Sequence, residues 1–353
     1  MSLFDGLVAS VEESTSPTPL TETSLPTPII ANGTILSAER ISPYISAIFN
    51  SSSTAVPRLK CPALNTNRYR ILEEQHHDQD AQDSHIDYFF ALNLRICIGI
   101  LPRLIGSIVE AINPAQGNAR IRKLAQLRNL VLAPLYKEQV NVADDTAVLF
   151  INDVSAFTED ILELALQRRS LNADIACAMD WTYVGADPTF YDIWIARTIS
   201  GDSFFEVGSD GNWNSAWNLF WNAPDTCVRY DGQQPFQVFA CWNGATAFTA
   251  APLLHGLQFR DTRKGECFQG EPQLFCKDMW SRGFRKIAVV SNVNLEYSDE
   301  KAADIKKLKG YVSDVVEGQE EDGTIEWVFE PPEKVRCMPT WEEQSWRPWN
   351  ETL

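Results

Sequence analysis

Ala147–Arg169 reads AVLFINDVSAFTEDILELALQRR. The apolar run Ala147–Ile151 stops abruptly at Asn152-Asp153, and a helix signal follows at once. Thr158 suits an N-cap, Glu159 and Asp160 fall in the first turn, and Arg168 and Arg169 fall in the last, each sign matching the helix dipole. A buried strand that ends on an acidic residue and feeds a helix is a unit of an open α/β sheet. Such sheets bind ligands outside the carboxyl ends of their strands. Asp153 is therefore a candidate for holding a ligand or a divalent cation. The plainer alternative is that it only turns the chain, which Asp does readily.

Working outward, the pattern alternates from Ile86 onward. Strand Tyr88–Leu94 precedes a helix Pro102–Ile112, and a second helix Asn118–Ala133 follows with Ile121, Leu124, Leu127 and Leu130 on one face, stopped by Pro134. After the quoted stretch comes strand Asp174–Met179, ending at Asp180-Trp181. This alternation predicts a mostly parallel sheet covered by helices. Arg95, Pro102 and Arg103 interrupt the one membrane-like run, Tyr88–Ile112, which argues against a spanning helix. Helices Pro102–Ile112 and Asn118–Ala133 meet across only Asn113–Gly117, with no strand between them.

The second half is more aromatic. Phe190–Thr198 reads as helical, as does Phe204–Asn222, where Trp213, Trp217 and Trp221 recur every four residues and so share a face. Such a stripe marks core more often than a sugar platform. Gln237–Cys241 and Thr246–Ala250 read as strands flanking a turn at Trp242-Asn243-Gly244. Glu271–Arg282 reads as a helix stopped by Gly283, Lys286–Val290 as a strand, and Ser298–Asp322 as a charged, exposed excursion.

Composition bounds the function. The 353 residues carry 47 acidic and 30 basic side chains, a net charge of −17, which disfavours nucleic acid and anionic lipid as partners. An anionic substrate would need a metal ion or local Arg residues to offset that field. Residues 1–57, rich in Ser, Thr and Pro, read as a disordered tail, and 58–85 as a polar approach segment. His76-His77-Asp78 and His85 in that segment lack ligand spacing and read as a solvated loop. None of the eight cysteines forms a C-x-x-C pair, and their even number permits disulfides. Sequons at Asn32, Asn50 and Asn350 hint at a secretory route, although Met1–Leu20 shows no signal segment.

The candidate chemistry follows from these elements. Asp180 is the second carboxylate, able to stabilise developing positive charge, with strand capping as the equal alternative. Asp192 and Arg197 share one predicted helix, where Arg197 can grip phosphate bidentately or make a surface ion pair. Trp242 can pack a sugar while Asn243 bonds its hydroxyls. Glu266 and Glu271 sit before the following helix and can cap it.

Several segments in fixed order carry a resemblance. They are YFFALNLRICIGILPRLIGSIVEAI, ARIRKLAQLRNLVLAPL, VLFINDVSAFTEDILELA, ADIACAMDW, FYDIWIARTISGDSF, QVFACWNGATAF, GECFQGEPQLFCKDMWSRG and KVRCMPTWEEQSWRPW. Together they resemble the fungal capsule-associated α-1,3-mannosyltransferases, the cryptococcal mannosyltransferase family. The resemblance implies an α/β glycosyltransferase domain of the GT-A kind over 86–350, with a nucleotide-binding half (86–180) and an acceptor half (181–350). It implies retaining, metal-dependent transfer of mannose from GDP-mannose to a mannose-containing acceptor, with Mn2+ or Mg2+ and a Golgi location behind one N-terminal anchor helix. By position, Asp153 takes the metal-binding role. Leu94, Arg95, Asn152, Asp153 and Arg197 take the nucleotide side, Asp180, Asp192 and Glu271 the catalytic roles, and Trp181, Trp242, Asn243, Gly244 and Glu266 the acceptor. A polar tail stands where the family has its anchor. The family also places a further β-α-β unit, part of the nucleotide pocket, between the counterparts of Ile112 and Asn113, and this sequence is expected to lack it. The alternative functions are an inactive relative that binds glycans or partner transferases and, further off, a glycoside hydrolase working through paired carboxylates.

Overall fold

The strand at the heart of the quoted stretch extends over Val142–Ile151 (β2). Asp144 and Asp145 in its first half lie in solvent, whereas Thr146–Phe150 are buried, as a continuous apolar run requires when both faces of a sheet are covered. The computed structural model describes residues 63–72, 86–92, 118–137, 141–319 and 323–353. The predicted tail, the His76–His85 cluster, Leu94, Arg95, helix Pro102–Ile112 and the Ile112–Asn113 junction lie outside the described residues.

Strand β1 is Ile86–Leu92, followed by helices α1 (Asn118–Val131) and α2 (Ala133–Tyr136), then β2. Helix α3 (Thr158–Ser170) leads to β3 (Ile175–Val184), β4 (Asp187–Phe190) and the short β5 (Arg197–Thr198). Helix α4 (Pro224–Asp231), β6 (Phe236–Ala240), β7 (Ala245–Thr249) and α5 (Ala251–Leu254) come next. Helix α6 (Glu271–Ser281), β8 (Ile287–Glu296), α7 (Asp299–Lys309) and α8 (Val312–Glu317) precede the hairpin of β9 (Lys334–Cys337) and β10 (Ser345–Pro348).

The central sheet runs β1-β2-β7-β3-β8-β6-β5, with β4 on β3, so the α/β domain with a helix-flanked sheet is present. Its pairing differs from the mostly parallel sheet expected. Only β1–β2 and β3–β8 are parallel; β7 runs antiparallel to both β2 and β3, and β4, β5 and β6 also pair antiparallel. The cause is the turn at Trp242-Asn243-Gly244. Its flanking strands β6 and β7 do not pair with each other, and the turn carries the chain from one side of the β3–β8 pair to the other. Strands β1, β2, β3 and β8 nevertheless share one direction.

Alternation along β3 builds two layers. Ala176 and Ala178 meet Leu162, Leu164, Ala165 and Leu166 of α3. Ile175, Cys177, Met179 and Trp181 enter the larger aromatic core. Helix α3 begins with the Asp160 carboxylate accepting the Phe157 N–H at 2.8 Å, so Phe157 rather than Thr158 occupies the N-cap. The approach segment also packs: Tyr69 and Leu72 are buried, and Arg68 grips Glu163 of α3 through two nitrogens at 2.7 and 2.8 Å.

Three predicted elements take other forms. The described part of the predicted excursion, 298–319, is not exposed throughout, because α7 buries Ala302, Ile305 and Lys306, and Lys306 pairs with Asp160 between α7 and α3. Phe190–Thr198 holds the end of β4, a single turn and β5 rather than a helix. Phe204–Asn222 is a chain of turns: Gly211 adopts φ +76°, and the Asp210 carboxylate accepts the Asn212 N–H, so no helix can run through. Trp217 consequently stands 83 % exposed, while Trp213 packs edge-on against Phe205 and Trp341.

Candidate active site

The carboxyl end of β2, the middle of β3, the end of β8 and the start of β7 meet around one turn. Asn152 leaves β2 and donates its N–H to the Gly244 carbonyl at 2.9 Å. Asn243 and Gly244 take φ values of +53° and +79°, which Asn and Gly tolerate best. The Asn243 side chain locks the turn to β3 by donating from Nδ2 to the Ala178 carbonyl at 2.7 Å. Its backbone N–H donates to Asp192 Oδ2 at 2.9 Å. The disulfide Cys177–Cys241 joins β3 to the residue just before the turn.

Asp180 lies against this turn and is fully buried. Its Oδ2 accepts the Tyr297 hydroxyl at 2.6 Å, and its Oδ1 has no hydrogen-bond partner among the described residues. Burial, then the charge of Asp192, raises the Asp180 carboxyl well above the usual range. Burial also pushes Asp192 up to about 6, opposed by the Asn243 N–H and the charge of Arg128. The Tyr191 ring packs against Tyr297 with centroids 4.7 Å apart.

Asn152 is held from behind by α1. Arg128 Nη1 donates to Asn152 Oδ1 at 3.3 Å, and the Trp242 indole N–H reaches the same oxygen at 3.5 Å. Arg128 Nε donates to Glu271 Oε1 at 2.8 Å. The Arg128 guanidinium carbon lies 4.6 Å from the Trp242 ring centre, 5.1 Å from that of Phe150 and 5.5 Å from that of Phe259. Asp153, the next residue, is half-buried at the strand end.

Among the described residues no group of three His, Cys, Asp or Glu side chains could hold a metal ion by itself. A divalent ion that arrives on a diphosphate needs only one or two protein carboxylates, because phosphate and water supply its other oxygens. Asp153 fits that demand. The Asn152 amide oxygen is engaged by Arg128 and Trp242.

The structure brings Asn152, Asp180, Asp192, Asn243, Gly244 and Glu271 into one neighbourhood, with Asp153 next to Asn152 in the chain and Glu271 facing Arg128 rather than open space. Four other candidates have their functional groups engaged within the protein. Trp242 is buried with its ring among Phe150, Phe248 and Phe259, and Trp181 is buried with its indole N–H on Asn294 at 2.8 Å, so neither presents a face to a sugar. Arg197 is buried and donates to the carbonyls of Ile193, Ala196 and Arg336; burial lowers it to about 9. Glu266 lies in an ionic network with Arg260 and Lys277, and these partners overcome its burial to hold it at about 2. Sequence reading missed Arg128 and Tyr297. Arg128 looks like any basic residue on a helix, and Tyr297 follows a strand whose length was underestimated.

The profile of the family described as Cryptococcal mannosyltransferase 1 matches residues 111–278, which include every one of these site residues but Tyr297. An alpha-1,3-mannosyltransferase of Cryptococcus neoformans var. neoformans serotype D is 39 % identical over 258 residues, covering 66 % of this chain and 55 % of that protein. The chain thus spans about half the length of the curated relative it matches. The matched sequence carries the Asn152-Asp153 strand end, Asp180 and the Trp242-Asn243-Gly244 turn, and over that span the chain is similar to the cryptococcal mannosyltransferase family.

Proposed function

We propose that this chain is a retaining α-1,3-mannosyltransferase that moves mannose from GDP-mannose to a mannose-containing acceptor with Mn2+ or Mg2+. The observation that carries the reading is the Trp242-Asn243-Gly244 turn, which bonds Asn152, the neighbour of Asp153 in sequence, bonds Asp192 and packs on Asp180, at the ends of co-directional strands. Asp153 would hold the metal. The ion, when bound, neutralises the diphosphate as the bond to sugar C1 breaks. The chain carries a net charge of −17, so a nucleotide sugar needs such local compensation. Tyr297 fixes the Asp180 carboxylate through one oxygen, and the other is buried with no partner among the described residues, so Asp180 would act on the donor through its charge. In its ionised form the Asp180 carboxylate would favour positive charge at C1 in the transition state.

The disulfides Cys177–Cys241 and Cys267–Cys337 support an oxidising compartment, which for this reading is the Golgi lumen. No helix among the described residues is long and apolar enough to cross a membrane.

Calorimetry of GDP with Mn2+, followed by mass analysis of a mannose disaccharide incubated with GDP-mannose, tests the proposal. Binding heat and a gain of one hexose are expected. Oligomannose binding without transfer would instead identify a non-catalytic relative, and nucleotide-independent release of mannose a hydrolase.

A further inference from the structure

The strand-end motif pairs one carboxylate, Asp153, with a neutral Asn152. Behind Asn152 sits a buried cation. Arg128 is 6 % exposed, and two of its nitrogens are committed, one to Asn152 and one to Glu271 at the first turn of α6. Its planar face lies among three aromatic rings, of which Trp242 belongs to the turn that also accepts the Asn152 N–H. A lysine could not reproduce this arrangement, because it lacks both the planar face and the fork. Asn152 is thereby fixed at its backbone N–H by Gly244 and at its side chain by Arg128 and Trp242.

We propose that the Arg128–Glu271 pair is a positioning device for Asn152-Asp153, through which α1 and α6 set the direction of the Asp153 carboxylate toward the metal–diphosphate. Neither Arg128 nor Glu271 touches the ligand. The proposal rests on the mannosyltransferase reading of Asp153. Groups that orient a metal-binding residue commonly change metal affinity about 10- to 100-fold when removed.

The test uses the full chain and the double variant Arg128→Met with Glu271→Met. Removing both partners leaves no orphan buried charge, and methionine packs well against aromatic rings, so folding should persist. Thermal unfolding without metal is expected to give a midpoint near wild type. Calorimetry of GDP with Mn2+ is expected to show a dissociation constant raised about 10- to 100-fold. Wild-type affinity in the folded double variant would overturn the proposal alone. Absence of heat with the wild-type chain would overturn the mannosyltransferase reading, and the proposal with it. Should the double variant unfold, Asn152→Ala carries the test, since it cuts the link while keeping the ion pair. The same loss of affinity is expected there, and unchanged affinity would overturn the proposal.

Discussion

Gly244 lies so close to Asp180 that a β-carbon added to the glycine would stand 3.2 Å from the Asp180 β-carbon. The same added carbon would stand 2.8 Å from Val154 Cγ1, and Gly244 has φ +79°. Gly244→Ala therefore combines a clash with left-handed backbone strain of about 1–2 kcal/mol. It should lower stability by at least that much and push the turn off Asp180. Urea unfolding and transferase assays of this variant should both show losses. A variant with wild-type stability and turnover would mean that the turn has room this geometry denies.

Asp153→Ala separates function from folding. The residue is half-buried at a strand end, so stability should change by no more than about 1 kcal/mol. Heat of GDP binding in Mn2+ should disappear. If the variant binds GDP with metal as the wild type does, Asp153 is a turn residue and no more.

Asp192 gives stability a pH signature. Its carboxyl titrates near 6 in the folded chain against an ordinary value of 3.8. Between those values the folded state holds more protons than the unfolded one, so this group's contribution to stability falls as pH rises through the window. Asp180 acts with the same sign. Asp192→Asn keeps an oxygen for the Asn243 N–H and removes the titration. The variant's unfolding free energy should fall less steeply than wild type from about pH 4 to 6 and exceed it above. Parallel urea-denaturation profiles would count against the assignment.

Lys306 and Asp160 form an ion pair whose side chains have no exposure at all. Lys306→Met strands the Asp160 carboxylate and should cost about 3–5 kcal/mol in chemical denaturation. Lys306→Met with Asp160→Asn should cost less, because no charge is then left unpaired. A single-variant cost under about 1 kcal/mol would show that water reaches the pair.

The segment around Asp153 was legible because local rules agree there. The predicted helix Thr158–Arg169 and the observed Thr158–Ser170 differ by one residue, and the strand ends where Asn152 begins. Phe204–Asn222 misled because tryptophan spacing mimics a helix while glycine geometry forbids one. The mixed sheet was hidden for a different reason. Strand β7 reads as a strand from its own residues, but its place between β2 and β3 depends on partners far away in sequence. Arg128 was invisible because its significance lies in Glu271 and Asn152, which lie on other elements.

The insertion of β7 between β2 and β3 also sets an order of events on the ribosome. Both outer strands are complete by Val184, yet the strand that fills the slot begins only at Ala245. Until then each presents a bare edge, the kind of surface that recruits other chains. Cys241 emerges just ahead of β7, and its partner Cys177 waits on β3. Oxidation of that pair and filling of the slot thus fall on the same few residues of synthesis. Nascent chains halted before Gly244 should be open, reducible and prone to association, and those released beyond Thr249 should be closed.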